Sequence, residues 1–229
     1  MRMILYSGGD AEDNHELDCH LKKWAGSNAQ ITYIPASSWE DDLDFSDFVT
    51  QYRAHGFHRF IHLPVDVAVD PVLIREALKS DIIYLGGGNT FYFLTYLRRS
   101  GLLREFKGFL ARGGILTGMS AGAIILTPSI ATATFPAFDR DVNHEKIQDL
   151  KACKLAPFEF FPHFRNSARY DVELRKHSKR IPHPLYACSE GAGIIMDGDK
   201  LTFVGQVFCF FQGKKFVVKG NSKAAISRK

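Results

Sequence analysis

The sequence predicts an α/β fold: a mostly parallel sheet flanked by helices on both faces, with a C-terminal hairpin. Three observations carry this. Short, β-branched apolar runs recur along the first half, each closed by Gly or Pro. Amphipathic stretches of helical length separate them. The composition, 45% hydrophobic and 24% charged over 229 residues, is that of a globular chain able to bury one large core.

The predicted strands come in order. Met3 to Tyr6 ends at Gly8-Gly9, Gln30 to Ile34 at Pro35, and Arg59 to Leu63 at Pro64. Ile82 to Leu85 runs into Gly86-Gly87-Gly88, and Gly114 to Thr117 into Gly118. The helices between them are His15 to Gly26, with Leu17, Leu21 and Trp24 on one side, Asp44 to His55 and Pro71 to Lys79. Asn89 to Ser100 and Leu102 to Arg112 follow, separated by Gly101. This alternation reads as βαβ units, and right-handed crossovers put helices on both faces. Residues 131–162 carry Pro136, Pro157 and Pro162 among aromatics and read as loop. Asp171 to Lys179 is a short polar helix. Tyr186 to Met196 and Lys200 to Cys209 form a hairpin about Asp197-Gly198-Asp199, and Phe208 to Val217 another about Gln212-Gly213. With no repeat or linker, residues 1–229 read as a single catalytic domain, 221–229 being a frayed tail.

The net charge, 29 basic against 25 acidic residues, is only +4, with no basic block interleaved with aromatics. No nucleic-acid partner is expected. No apolar run reaches membrane length, and none resembles a signal peptide. Cys19, Cys153, Cys188 and Cys209 lie far apart, without a C-x-x-C pair. Reduced thiols in a cytoplasmic protein are the expectation.

The sharpest chemical signal is Gly118-Met119-Ser120-Ala121-Gly122, a G-x-S-x-G between a strand and a helix starting at Ala121. A serine on so sharp a turn needs small neighbours, and the first helical N–H groups beside it favour developing negative charge. The bland alternative is a packing turn whose serine caps the helix. Gly86-Gly87-Gly88-Asn89-Thr90 ends another strand. It lacks the Lys of a P-loop, so phosphate cradling competes with an oxyanion hole shared with the Ala121 N–H, and with a plain capped turn.

A serine nucleophile needs a base. Of nine histidines, His163 stands out, in Phe160-Phe161-Pro162-His163-Phe164, where the aromatics and proline would hold a ring rigidly in a desolvated place. The third member is open at this point. Glu190 in Ser189-Glu190-Gly191 gives the order Ser, His, Glu. Asp139 or Asp141 gives Ser, Asp, His.

Together, Gly86 to Thr90, the Gly-x-Ser-Ala-Gly-Ala at 118–123, Pro162-His163 and Glu190-Gly191 resemble the peptidase E and cyanophycinase family of serine peptidases. The resemblance covers nearly the whole chain. It implies a flavodoxin-like or class I glutamine-amidotransferase-like fold. It further implies Ser120 as nucleophile, His163 as base, Glu190 as the acid, and Gly88 and Ala121 as oxyanion donors. An arginine after the histidine binds an acidic substrate side chain in the family's dipeptidases. Arg169 is the nearest match, with Arg165 and Arg175 as rivals, and Asn89 joins it as a candidate substrate-binding residue. The chain departs from the dipeptidase branch at Thr134-Phe135-Pro136, where that branch carries an aspartate, and at Phe161, which replaces the Asn of Asn-Pro-His. The expected activity is hydrolysis of short peptides, dipeptides with an N-terminal Asp foremost, with no cofactor and no metal. An esterase with the same triad and a non-catalytic anion-binding protein are the rivals. Monomer and homodimer are left open.

Overall fold

The computed structural model describes residues 1–26, 28–39 and 41–218. The tail at 221–229 lies outside the described residues. The elements run β1 (Arg2–Tyr6), α1 (His15–Ala25), β2 (Gln30–Ile34), α2 (Asp41–Ala54), β3 (Arg59–His62), α3 (Pro71–Ala77), β4 (Ile82–Leu85), α4 (Thr90–Arg99), α5 (Leu102–Ala111), β5 (Ile115–Met119) and α6 (Ala121–Ile125). After a 3-10 turn at Ala131–Thr134 come β6 (Glu159–Phe161), α7 (Ala168–Ser178), β7 (Leu185–Cys188), β8 (Gly193–Asp197), β9 (Lys200–Val204), β10 (Val207–Phe211) and β11 (Lys214–Val218).

Seven strands form the main sheet in the order β3-β2-β4-β5-β1-β8-β9. The first five are parallel; β8 and β9 add an antiparallel edge. The expected α/β architecture is the observed one. Side chains of a strand alternate between faces, and here each face has its own core. Met3 and Leu5 pack with α4, α5 and α6 residues such as Phe93, Phe106 and Ile124. Ile4 and Tyr6 pack with Leu17 and Leu21 of α1 and Phe48 and Tyr52 of α2. Because both faces are covered, the parallel strands read as unbroken apolar runs.

Four strands make a second sheet, β11-β10-β7-β6, with β6 and β7 parallel. Phe160 and Tyr186 point into the core shared with the main sheet. Phe161 and Ala187 point the other way, under Tyr170 and Leu174 of α7.

Three sequence expectations change. The continuous strands at Tyr186 to Met196 and Lys200 to Cys209 each break in the middle, at 189–192 and 205–206, and cross between sheets. An unbroken apolar alternation does not say which sheet a strand joins. The hairpin about Gly198 is present as β8–β9, and that about Gln212-Gly213 as β10–β11, with φ of 49° and 78° at its two turn residues. Within the expected loop at 131–162 lies β6, three residues between prolines. The polar helix begins at Ala168, three residues before its expected start.

Helix starts follow their caps. Asp70 accepts the Val72 N–H at 2.8 Å ahead of Pro71, and Asn89 accepts the Tyr92 N–H at 3.0 Å. No helix among the described residues is long and apolar enough to cross a membrane.

Candidate active site

Neighbouring parallel strands bring three turns to one edge of the main sheet: Ser7-Gly8 after β1, Gly86 to Gly88 after β4, and Ser120 after β5. The carboxyl ends of parallel strands are where open α/β sheets bind ligands.

Ser120 sits between strand and helix with φ 50° and ψ −111°, a conformation that is costly for a residue with a Cβ. It is held there by its N–H, which donates to Tyr6 O at 3.0 Å, and by the Gly122 N–H, which donates to Gly86 O at 3.1 Å. A Cβ on Gly122 would run into the Leu85 carbonyl oxygen, so the turn requires a glycine there. Ser120 makes no side-chain cap bond to its helix. Its Oγ instead lies 2.8 Å from His163 Nε2.

His163 follows β6 and Pro162, with φ 55°. Its ring Nδ1 lies 2.7 Å from Glu190 Oε1. Glu190 stands in the turn between β7 and β8, where the Gly191 N–H donates to Gly8 O at 3.0 Å. Ser120, His163 and Glu190 therefore form one hydrogen-bonded chain assembled from both sheets. The expected desolvation of His163 is corrected: its side chain is 44% exposed and that of Glu190 55%. Phe160, Phe161 and Phe164 turn into the two cores and leave the ring at the surface.

The rival acids are used elsewhere. Asp139 Oδ2 accepts the Tyr170 hydroxyl at 2.7 Å. Burial, with that bond, raises the Tyr170 phenol above its ordinary pKa. Asp141 Oδ2 accepts the Thr90 N–H at the start of α4, at 2.7 Å.

Two residues overlooked in the sequence prove central. Ser7, fully buried, accepts the His163 N–H at 2.7 Å and donates to Cys188 O at 2.8 Å. Gly8 packs directly on the dyad; a Cβ there would lie 2.5 Å from His163 Cε1 and collide with Glu190 Oε2. The only sequence signal for them was a small-residue turn after a strand.

Gly88 has φ +136°, and a Cβ would lie 2.6 Å from that of Ala36. The neighbouring Gly87 faces Ser120 Cβ. Ala121, the first residue of α6, has an N–H without an intrahelical acceptor by position. Beside Gly87 and Gly88 opens a cavity of about 290 Å³, walled by Tyr33, Trp39 and Tyr92 and edged by His144 and Glu145. Asn89 also borders it, but both its amide atoms are engaged, Oδ1 in the α4 cap and Nδ2 with Val142 O at 2.9 Å.

Of the three arginines, Arg175 donates to Gly213 O at 3.1 Å and pairs with Asp171 at 3.8 Å, on the β10–β11 side of α7. Arg169 and Arg165 are exposed beyond His163; the Arg169 guanidinium lies 4.0 Å over the Phe138 ring.

The model of peptidase family S51 matches residues 3–204. An uncharacterized peptidase of Listeria innocua is 30% identical over 153 residues, 66% of this chain and 69% of that protein. Peptidase E of Escherichia coli is 37% identical over 123 residues, 53% of this chain and half the length of that protein. Among solved structures, a peptidase from an acI-B1 actinobacterium superposes with TM-score 0.72 at 19% identity, over 98% of this chain and 96% of its own. A Listeria monocytogenes protein assigned to peptidase E gives TM-score 0.66 at 23% identity, over 89% and 97%. These two likenesses establish the fold.

Proposed function

The chain belongs to peptidase family S51, and from that premise we propose that it is a serine exopeptidase hydrolysing short peptides, dipeptides with an N-terminal Asp foremost, through a Ser120-His163-Glu190 acyl-enzyme mechanism. The observation that carries the reading is the hydrogen-bonded chain from Ser120 Oγ through His163 to Glu190, at 2.8 and 2.7 Å.

Ser120 Oγ attacks the scissile carbonyl while His163 Nε2 takes its proton. Glu190 fixes the ring tautomer and stabilises the imidazolium. The Gly88 and Ala121 N–H groups receive the oxyanion; one such donor is worth about 10²–10³ in rate. His163 returns the proton to the leaving amine, and a water activated by His163 hydrolyses the acyl-enzyme. We place the chain in the cytoplasm, where the thiols of its four cysteines would stay reduced.

Arg169 is the residue assigned to an acidic substrate side chain. A second reading of specificity has its own support: the cavity beside Gly88 has aromatic walls and a carboxylate at its edge, Glu145, and among the described residues no arginine lines it. Such a pocket suits an aromatic or cationic side chain. A panel of X-Leu dipeptides, with X as Asp, Glu, Asn, Phe, Lys and Ala, separates the two when run on wild type and Ser120→Ala. Asp-Leu cleavage lost in the variant supports the acidic preference. Phe-Leu or Lys-Leu cleavage lost in the variant keeps the mechanism and reassigns the pocket. Activity surviving Ser120→Ala sinks the mechanism. Cleavage of esters but no peptide would favour the esterase reading, and ligand retention without turnover the anion-binding one.

A further inference from the structure

One face of α1 carries charged and metal-ligating side chains that the proposed mechanism does not use. His15, Asp18, Cys19 and Lys22, at spacings of three and four, all face the end of α2 and the turn after it. Lys22 Nζ donates to Gly56 O at 2.6 Å and lies over the Phe57 ring. Asp18 is fully buried and accepts Tyr6 and Tyr52 hydroxyls at 3.0 and 2.8 Å and the Gln51 amide at 2.7 Å. Its Oδ2 also lies 3.5 Å from His55 Nε2. Above this buried carboxylate, one ligand atom each from His15, Cys19 and His55 lies within 4.8 Å of the others.

We propose that His15, Cys19 and His55 form a zinc-binding site that clamps the first turn of α1 to the end of α2. The donor set, two imidazoles and a thiolate, suits a borderline-soft divalent ion and is foreign to magnesium or calcium. Tetrahedral zinc with ordinary Zn–N and Zn–S bonds places neighbouring ligand atoms about 3.3–3.6 Å apart. His15 Nε2 and Cys19 Sγ stand at 3.4 Å, which is that spacing. The His55 ligand atom lies within 4.8 Å of the other two, and its ring centroid 5.3 Å from that of His15, so a shift of this side chain closes the third side. Asp18 occupies the place of the carboxylate that orients a ligating imidazole. On binding, the Cys19 thiol loses its proton to solvent as the Zn–S bond forms, and water fills the fourth position. The site shares no residue with Ser120, His163 or Glu190 and stands independently of the peptidase reading.

The test uses the full chain, stripped with chelator and dialysed against zinc or cobalt(II). The expected result is one zinc per chain and a cobalt(II) form with tetrahedral d–d bands and a thiolate-to-cobalt charge-transfer band. Cys19→Ser should abolish the charge-transfer band. His15→Ala and His55→Ala should each weaken zinc by more than the about 10–100-fold that loss of an outer carboxylate costs. Zinc should raise the melting temperature of wild type and not of Cys19→Ser. An unchanged circular dichroism spectrum of metal-free Cys19→Ser against metal-free wild type checks that the fold is intact. No retained metal overturns the proposal. So does zinc that binds Cys19→Ser as tightly as wild type, since it would then sit on other histidines.

Discussion

Ser7 Oγ accepts the backbone N–H of His163 at 2.7 Å while donating to Cys188 O at 2.8 Å, so one buried hydroxyl ties the end of β1 to the segment carrying His163. It joins the main sheet to the second sheet at the point where Ser120 and His163 meet. Ser7→Ala leaves the His163 N–H without its acceptor and removes one of the donors to the Cys188 carbonyl, which keeps the Phe164 N–H. The expected loss is about 1–3 kcal/mol of stability. The rate should fall by up to about 10²-fold, the effect of a small misplacement of a reacting group. The fall should appear in kcat with KM nearly unchanged, read from steady-state kinetics below the variant's melting temperature. Unchanged kcat would show that His163 is held well enough by Pro162 and the Phe164 N–H, which donates to Cys188 O at 2.9 Å.

Glu190 and Asp139 make opposite predictions. Glu190 bonds the His163 ring, so Glu190→Gln keeps the shape but presents a group unable to stabilise the imidazolium; a loss of about 10⁴ in kcat is expected. Asp139 bonds Tyr170 instead, so Asp139→Asn should leave kcat unchanged and lower the melting temperature slightly. Equal kinetic losses in the two variants would contradict the assignment of roles.

Much of this arrangement is legible in the sequence, and the illegible part has a physical pattern. The strands β1, β2, β4 and β5 are buried on both faces and end at Gly or Pro, so each reads as a bounded apolar run. Ser120 is legible because a strand-to-helix corner demands small residues locally. Strand β6 is illegible because three residues between prolines carry no period. Ser7 and Gly8 are illegible for another reason: they matter only because β1 pairs with β5 on one side and β8 on the other. The choice between Glu190 and Asp139 depends on which turn folds over His163, a long-range fact that spacing does not encode.

Gly8→Ala tests how closely that packing is drawn. The added methyl would occupy the space of the His163 ring edge and Glu190 Oε2. The backbone at Gly8 is buried and fixed by the Gly191 N–H, so the dyad must move. Overpacking of this kind costs about 1–3 kcal/mol. Activity should fall by about 10²-fold or more, since ring and carboxylate shift together. A crystal structure of the variant should show the Nδ1–Oε1 distance lengthened from 2.7 Å. Wild-type kinetics in this variant would mean that the loop after β1 yields in place of the dyad.

The proposed acidic preference rests on Arg169, exposed beyond His163. A charge-assisted hydrogen bond to a substrate carboxylate is worth about 1.5–3 kcal/mol, or about 10- to 150-fold. Arg169→Ala should raise KM for Asp-Leu by that factor with kcat retained, and should leave Ala-Leu unaffected. Arg175→Ala, removing a side chain already bound to Gly213 O and Asp171, should change stability and leave KM alone. An unmoved KM for Asp-Leu in Arg169→Ala would transfer the role to Arg165, or to the aromatic cavity beside Gly88 if Asp-Leu is a poor substrate.

Glu159 links stability to pH at the base of the strand that carries His163. Its carboxylate is buried, with His177 Nε2 at 2.5 Å and His183 Nε2 at 3.2 Å. Burial pushes its pKa up, but the two histidine hydrogen bonds and their charges outweigh that and hold it below the ordinary 4.5. A depressed carboxyl binds its proton more weakly folded than unfolded. Its stabilisation is therefore complete above the unfolded pKa and disappears as pH falls through the lower folded value. Urea midpoints of wild type should drop as the solution is taken below about pH 4.5, the unfolded carboxyl value. Glu159→Gln, which keeps an acceptor but not the charge, should be less stable near neutrality and show a shallower drop in that acid window. Parallel curves for the two proteins would assign the acid sensitivity to other carboxylates.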